Sequence, residues 1–126
     1  MFAKFLEIDR PTSGGRIYTR SVIEAALKDW KNVFKTENMP IFKAPSAMPQ
    51  IADIVGEASN IRIEDGFLVG DIEFYEERIE EVFPPDKKYI SFAIRPNGSG
   101  VVDPITNEIQ AGYRIIGFAI VYRPQS

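Results

Sequence analysis

Ser91 stands in an apolar stretch, Tyr89-Ile90-Ser91-Phe92-Ala93-Ile94-Arg95, followed by the loop Pro96-Asn97-Gly98-Ser99-Gly100. A hydroxyl alternating with apolar residues on a strand has two uses. It attacks a carbonyl when a neighbouring base takes its proton, or it hydrogen-bonds an adjacent backbone group on a half-buried strand. The 126-residue chain has no histidine and no cysteine, which removes imidazole bases, thiolate nucleophiles, disulfides and Cys/His zinc sites together. The bases left for a Ser-Lys dyad are Lys43, Lys87 and Lys88. A lysine serves only when burial disfavours its charged form. Lys87 and Lys88 directly precede the strand in a polar turn, where a solvated role is the simpler account.

Other polar groupings are weaker chemistry. Asp71 with Glu73, or Glu57 with Asp71 across a hairpin, are acids that suit acid–base work or a cation, and equally a solvated strand face. Tyr75-Glu76-Glu77-Arg78-Ile79-Glu80-Glu81-Val82-Phe83 reads as a solvated acidic helix face. Asn97-Gly98-Ser99-Gly100 lacks the lysine, hydroxyl pattern and following helix of a phosphate-binding loop, so it reads as a turn. No metal and no cofactor are expected.

The elements that must position Ser91 follow from periodicity. Residues 2–8 read as a strand ending at Asp9-Arg10-Pro11-Thr12-Ser13-Gly14-Gly15. Val22, Ile23, Ala26, Leu27 and Trp30 repeat at helical spacing over 19–30, capped by Ser21 with Glu24 or by Thr19. Residues 35–50 carry Pro40, Pro45 and Pro49 and read as an ordered loop. Residues 54–63 and 67–74 form a hairpin about Asp65-Gly66. A short helix follows over 75–83, ended by Pro84-Pro85. A long apolar strand spans 109–122, with bulges or bends at Gly112 and Gly117. This predicts one α+β domain over residues 1–126. Its mostly antiparallel strands form a small bent sheet or barrel packed by one long and one short helix.

A net charge of −3 and a pI near 5.0 supply no field to concentrate a polyanion, so nucleic acid is not an expected partner. No apolar run approaches the ~20 residues that span a bilayer, and the first residues lack a signal-peptide pattern, so a cytoplasmic protein without membrane contact is expected.

Three segments in order resemble the prohead maturation serine proteases of tailed bacteriophages, whose fold is related to the herpesvirus assembly proteases. Gly15-Arg16-Ile17-Tyr18-Thr19-Arg20-Ser21-Val22-Ile23-Glu24 is similar to the family's approach to its first helix, with Thr19 where the family has proline. Val55-Gly56-Glu57 and Asp65-Gly66-Phe67-Leu68-Val69-Gly70-Asp71-Ile72-Glu73 are similar to its hairpin. The Ser91 strand, with Tyr113-Arg114-Ile115-Ile116-Gly117-Phe118-Ala119 onward to Pro124, is similar to its nucleophile strand and closing strand.

The resemblance implies that Ser91 occupies the nucleophile position, and that Ala44 and Gly117 stand where the base histidine and the orienting acid would be. Losing triad members leaves only the ~10³–10⁴-fold that binding and an oxyanion hole supply, so no catalytic residue is expected. The implied function is a non-catalytic virion protein, a decoration or cement protein of the head, lacking the tail of a scaffold-associated protease. It would reside in the host cytoplasm during assembly and then in the capsid, bound to the major capsid protein and to copies of itself. Phe2, Phe42, Met48 and Tyr122 are the candidate anchors. The alternatives are a maturation endopeptidase with an atypical base and a catalytically dead partner of a protease in head assembly.

Overall fold

A computed structural model describes residues 1–12, 14–43, 50–82, 89–96 and 102–123, with side chains at all of these except Tyr89, Ile90, Arg95, Tyr122 and Arg123. Ala44, Met48, Lys87 and Lys88, named above, lie outside the described residues.

The Asp65-Gly66 pair makes the most local structure. Both residues adopt positive φ, 52° and 81°, the geometry that joins two strands through a two-residue turn. β3 (Ile54–Glu64) and β4 (Phe67–Phe74) accordingly form a hairpin. β1 (Phe2–Glu7) adds antiparallel to β4. The helical period gives α1 (Arg20–Phe34), which ends four residues past its apolar stripe. Thr19, rather than Ser21, is the cap, its hydroxyl accepting from the Val22 N–H at 3.4 Å. Val22, Ile23, Ala26 and Trp30 are the buried stripe, and the Trp30 indole donates to the Asn38 carbonyl at 2.9 Å.

Three expectations need correction. The expected loop over 35–50 contains β2 (Met39–Phe42). This strand pairs antiparallel with β3 on one side and parallel with β6 on the other. Pro40 disguised it, since proline gives up a ladder donor. It is accommodated near the strand's start, before the described pairing with β6 begins at Ile41. The last strand, β6 (Ile115–Arg123), begins six residues later than its apolar run. Ile109 instead bridges Val102, and Gly112 turns the chain at φ 91°. The short helix is a 3₁₀ turn (Glu76–Arg78) running into α2 (Ile79–Val82), in which Val82 is buried and Ile79 exposed.

β5 (Tyr89–Pro96) pairs antiparallel with β6, giving a six-stranded mixed sheet in the order β1-β4-β3-β2-β6-β5. The sheet curls until its two ends meet through aromatic rings. Phe5 of β1 stacks on Phe118 of β6 at 3.9 Å and meets Phe92 of β5 edge-on at 5.8 Å. The result is the α+β architecture expected, mostly antiparallel with one parallel pair and nearly closed.

Two measurements check this core. Phe118 is fully buried, so Phe118→Ala should lower the unfolding free energy by about 3–5 kcal/mol in a urea titration. Tyr113 is buried beside Tyr18, their rings 5.5 Å apart. Burial first, then Tyr18, pushes its phenol above the ordinary tyrosine range. The unfolded chain releases that proton near pH ~10 while the folded chain keeps it. Stability is therefore full below about pH 10 and falls as pH rises further. Tyr113→Phe should flatten that alkaline decline.

Candidate functional site

Ser91 lies opposite Val121 on β6, and its hydroxyl donates to the Val121 carbonyl at 3.5 Å, a long contact for a hydroxyl. Strand alternation divides β5. Phe92 and Ile94 pack against the core, and Phe92 lies 6.5 Å from the Phe74 ring. Ser91 and Ala93 point the other way, half-buried, with Ala93 opposite Ala119. On this face the described side chains Val121, Ala93 and Ala119 carry no group that accepts a proton.

β6 lies between the Ser91 strand and β2, and Gly117 of β6 sits against Pro40 and Phe42 of β2. It is opposite Arg95 on β5, one residue before Phe118, which pairs with Ile41. Its φ is +147°, and a Cβ built there would fall 2.4 Å from the Pro40 carbonyl oxygen, 3.1 Å from Pro40 Cγ and 3.2 Å from the Phe42 ring. The position implied for the orienting acid therefore admits no side chain without displacing β2. Register places the exit of β2 near the serine: Phe42 pairs with Ala119, and Ser91 is opposite Val121, two residues further along β6.

Lys43, the one candidate base among the described residues, is occupied otherwise. Its backbone N–H donates to the Asp53 carbonyl at 2.8 Å, and its ammonium lies 3.9 Å from Glu81 Oε1 and 4.0 Å from Asp53 Oδ1. Arg78 grips the Glu81 carboxylate through two nitrogens and donates to the Ala52 carbonyl at 2.8 Å. These four charged side chains tie the exit of β2, the turn Ile51–Asp53 and α2 together. Each pair is partly exposed and contributes under ~1 kcal/mol, but jointly they order this end of the sheet. The network was missed in the sequence because, apart from the i,i+3 pair Arg78–Glu81, its members are 10 to 38 residues apart with no shared period.

The acids weighed above do not assemble. Glu57 is opposite Glu73, and Asp71 is opposite Ser59 and accepts from the Asn60 amide at 3.4 Å. Among the described residues no three acids gather as metal ligands do.

The anchor candidates separate. Phe2 is 52% exposed at the edge of the sheet, its ring 6.0 Å from the Arg62 guanidinium. Phe42 is only 6% exposed because it closes over Gly117, which corrects its expected role as an exposed anchor. Tyr122 is described in backbone only, on β6. Val33, Phe34, Tyr75 and Ile79 are exposed instead, which apolar type alone does not reveal.

The meeting of the sheet's ends leaves a cleft of about 400 Å³, lined by Phe5, Leu6, Thr12 and Tyr18 on one side and Phe92 and Ile94 on the other. β1 and β5 flank it as the two ends of the strand order, so each presents an edge without a ladder partner among the named strands.

No family model matches the chain, and no curated protein sequence matches it. Among solved structures, the capsid assembly protease gp21 of bacteriophage T4 is similar over 98% of this chain and 82% of its own, with a TM-score of 0.71 and 18% identity. The likeness is one of fold, and it agrees with the prohead-protease-like architecture implied by the three segments.

Gly117→Ala combines a disfavoured φ with a contact shorter than any real Cβ tolerates. It should destabilise the chain by more than about 3 kcal/mol. An unchanged urea midpoint for the alanine variant would show that β2 does not press on β6 as described.

Proposed function

We propose that, on a prohead-protease-like fold, this chain is a non-catalytic component of a tailed-phage head, a decoration or cement protein attached to the major capsid protein. The observation that carries the reading is Gly117. A serine of ordinary acidity needs a base and a group to orient it, and here the orienter's place has no room for a side chain. The chain contains no histidine for it to orient. Ser91 donates to its neighbour's carbonyl, which suits a hydroxyl satisfied within the sheet.

Attachment then rests on surfaces rather than on chemistry. Two sheet edges flank a cleft of mixed polar and apolar lining, and an extended segment of a capsid subunit adds to such an edge through backbone hydrogen bonds, with specificity from alternate side chains. Exposed Phe2 at the margin of β1 supplies an aromatic anchor.

Quantitative mass spectrometry of purified mature heads should find the intact chain in a fixed ratio to the major capsid protein. Ser91→Ala should leave capsid-protein processing unchanged. Absence from mature heads combined with lost cleavage in the Ser91→Ala phage would establish the endopeptidase reading instead.

A further inference from the structure

The surface carries two patches of opposite charge, each beside an exposed apolar side chain. The first lies on the flank of α1. A groove of about 220 Å³ is lined by Leu27, Trp30, Met39 and Ile61 together with Lys28, Lys31 and Glu37. Phe34 lies against Trp30, their rings 4.1 Å apart and tilted by 32°, and is itself 55% exposed. Lys31 is paired with Glu37 at 3.0 Å, while Lys28 and Lys35 have no carboxylate partner among the described residues. In a chain whose net charge is −3, this is a local excess of positive charge.

The second patch is the segment from Tyr75 through α2. Tyr75 and Ile79 are 39% and 41% exposed. Glu76, Glu77 and Glu80 around them are exposed, with no cationic partner among the described residues. Spacing of three puts Glu76 beside Ile79, and spacing of four puts Glu80 beside Glu76. An apolar side chain framed by carboxylates is the complement of an apolar groove framed by ammonium groups.

The two patches of one molecule do not meet. The acidic segment is held at the start of β3, where the Tyr75 N–H donates to the Val55 carbonyl and Arg78 holds the Ala52 carbonyl. The groove includes Ile61, six residues along the same strand. At about 3.3 Å per residue that is roughly 20 Å. The complement of each patch is therefore supplied by a second copy.

We propose that this chain associates with itself head to tail, the acidic Tyr75–Ile79 patch of one copy seating in the basic α1 groove of the next. Because the patches differ, the contact is heterologous. It propagates into rings or open chains rather than stopping at a symmetric dimer. The inference concerns the free protein and stands or falls independently of the role in the head.

Sedimentation velocity on the purified chain tests it, using two charge-reversed variants, Lys28→Glu/Lys35→Glu and Glu76→Lys/Glu80→Lys. The wild-type chain should form species larger than a dimer at low ionic strength, which shrink as NaCl is raised past the range where exposed charges are screened. Each variant alone should sediment as a monomer. An equimolar mixture should again form species larger than a dimer, because the intact acidic patch of one variant meets the intact groove of the other and the reversed groove meets the reversed patch. A monomeric wild type at every salt concentration would overturn the proposal, as would variants that associate like wild type or a mixture that stays monomeric. Unchanged thermal unfolding of both variants excludes misfolding as the reason for a monomer.

Discussion

The approach of Gly117 to Pro40 is the contact on which the arrangement of the sheet depends. β6 runs between β5 and β2, antiparallel to one and parallel to the other. The Pro40 carbonyl occupies the space a side chain at 117 would need. Only glycine lets the two backbones come this close and adopts φ +147° without penalty. The register that follows places Phe42 beside Ala119 and directs the exit of β2 toward the strand position opposite Ser91. The same glycine thus permits the parallel join and leaves no room for a carboxylate at position 117.

Around that join, the interior is filled by rings. Phe118 projects from β6 onto Phe5, and Phe5 meets Phe92, so side chains from the first, fifth and sixth strands converge in one cluster. Aromatic burial of this kind draws β1 and β5 together without a hydrogen-bonded ladder between them. The cleft there is the remainder of an incomplete closure. Its margin on the β1 side includes Thr12 and Tyr18, from the loop that leads into α1.

Much of this was legible in the sequence wherever a short-range rule applied. Asp65-Gly66 specified its hairpin because two consecutive positive φ values are what Asp and Gly tolerate. The stripe from Val22 to Trp30 specified α1 because its burial follows the helical period. What was not legible depended on distant partners. Met39–Phe42 has no alternation to read, since Met39, Ile41 and Phe42 are all buried. Only its neighbours on both sides make a strand of it. The run from Ile109 looked continuous with β6, yet Ile109 is buried where it bridges Val102 and its N–H donates to the Ile17 carbonyl, a separate piece of packing. Phe42 was apolar and close to the candidate site, but its burial is fixed by a glycine 75 residues away. Ala44 and Gly117 differ in the same sense: the lack of histidine is a fact of composition, whereas the reason position 117 is bare is steric and appears only in three dimensions.

The parallel join also bears on how the chain reaches its native state. Ile41 and Phe118 are separated by 77 positions (118 − 41), whereas the β3–β4 hairpin closes across two residues. Bringing such distant segments together costs on the order of 4 kcal/mol of chain entropy beyond a constant, recovered only once both flanks of β6 are paired. The hairpin and α1 are local enough to form in microseconds. The central ladder instead waits on a long-range search, which places this topology on the slow side of the contact-order trend. During synthesis β2 remains without its second neighbour until residues 115–123 have left the ribosome. Until then its apolar residues lack the cover they have in the finished sheet.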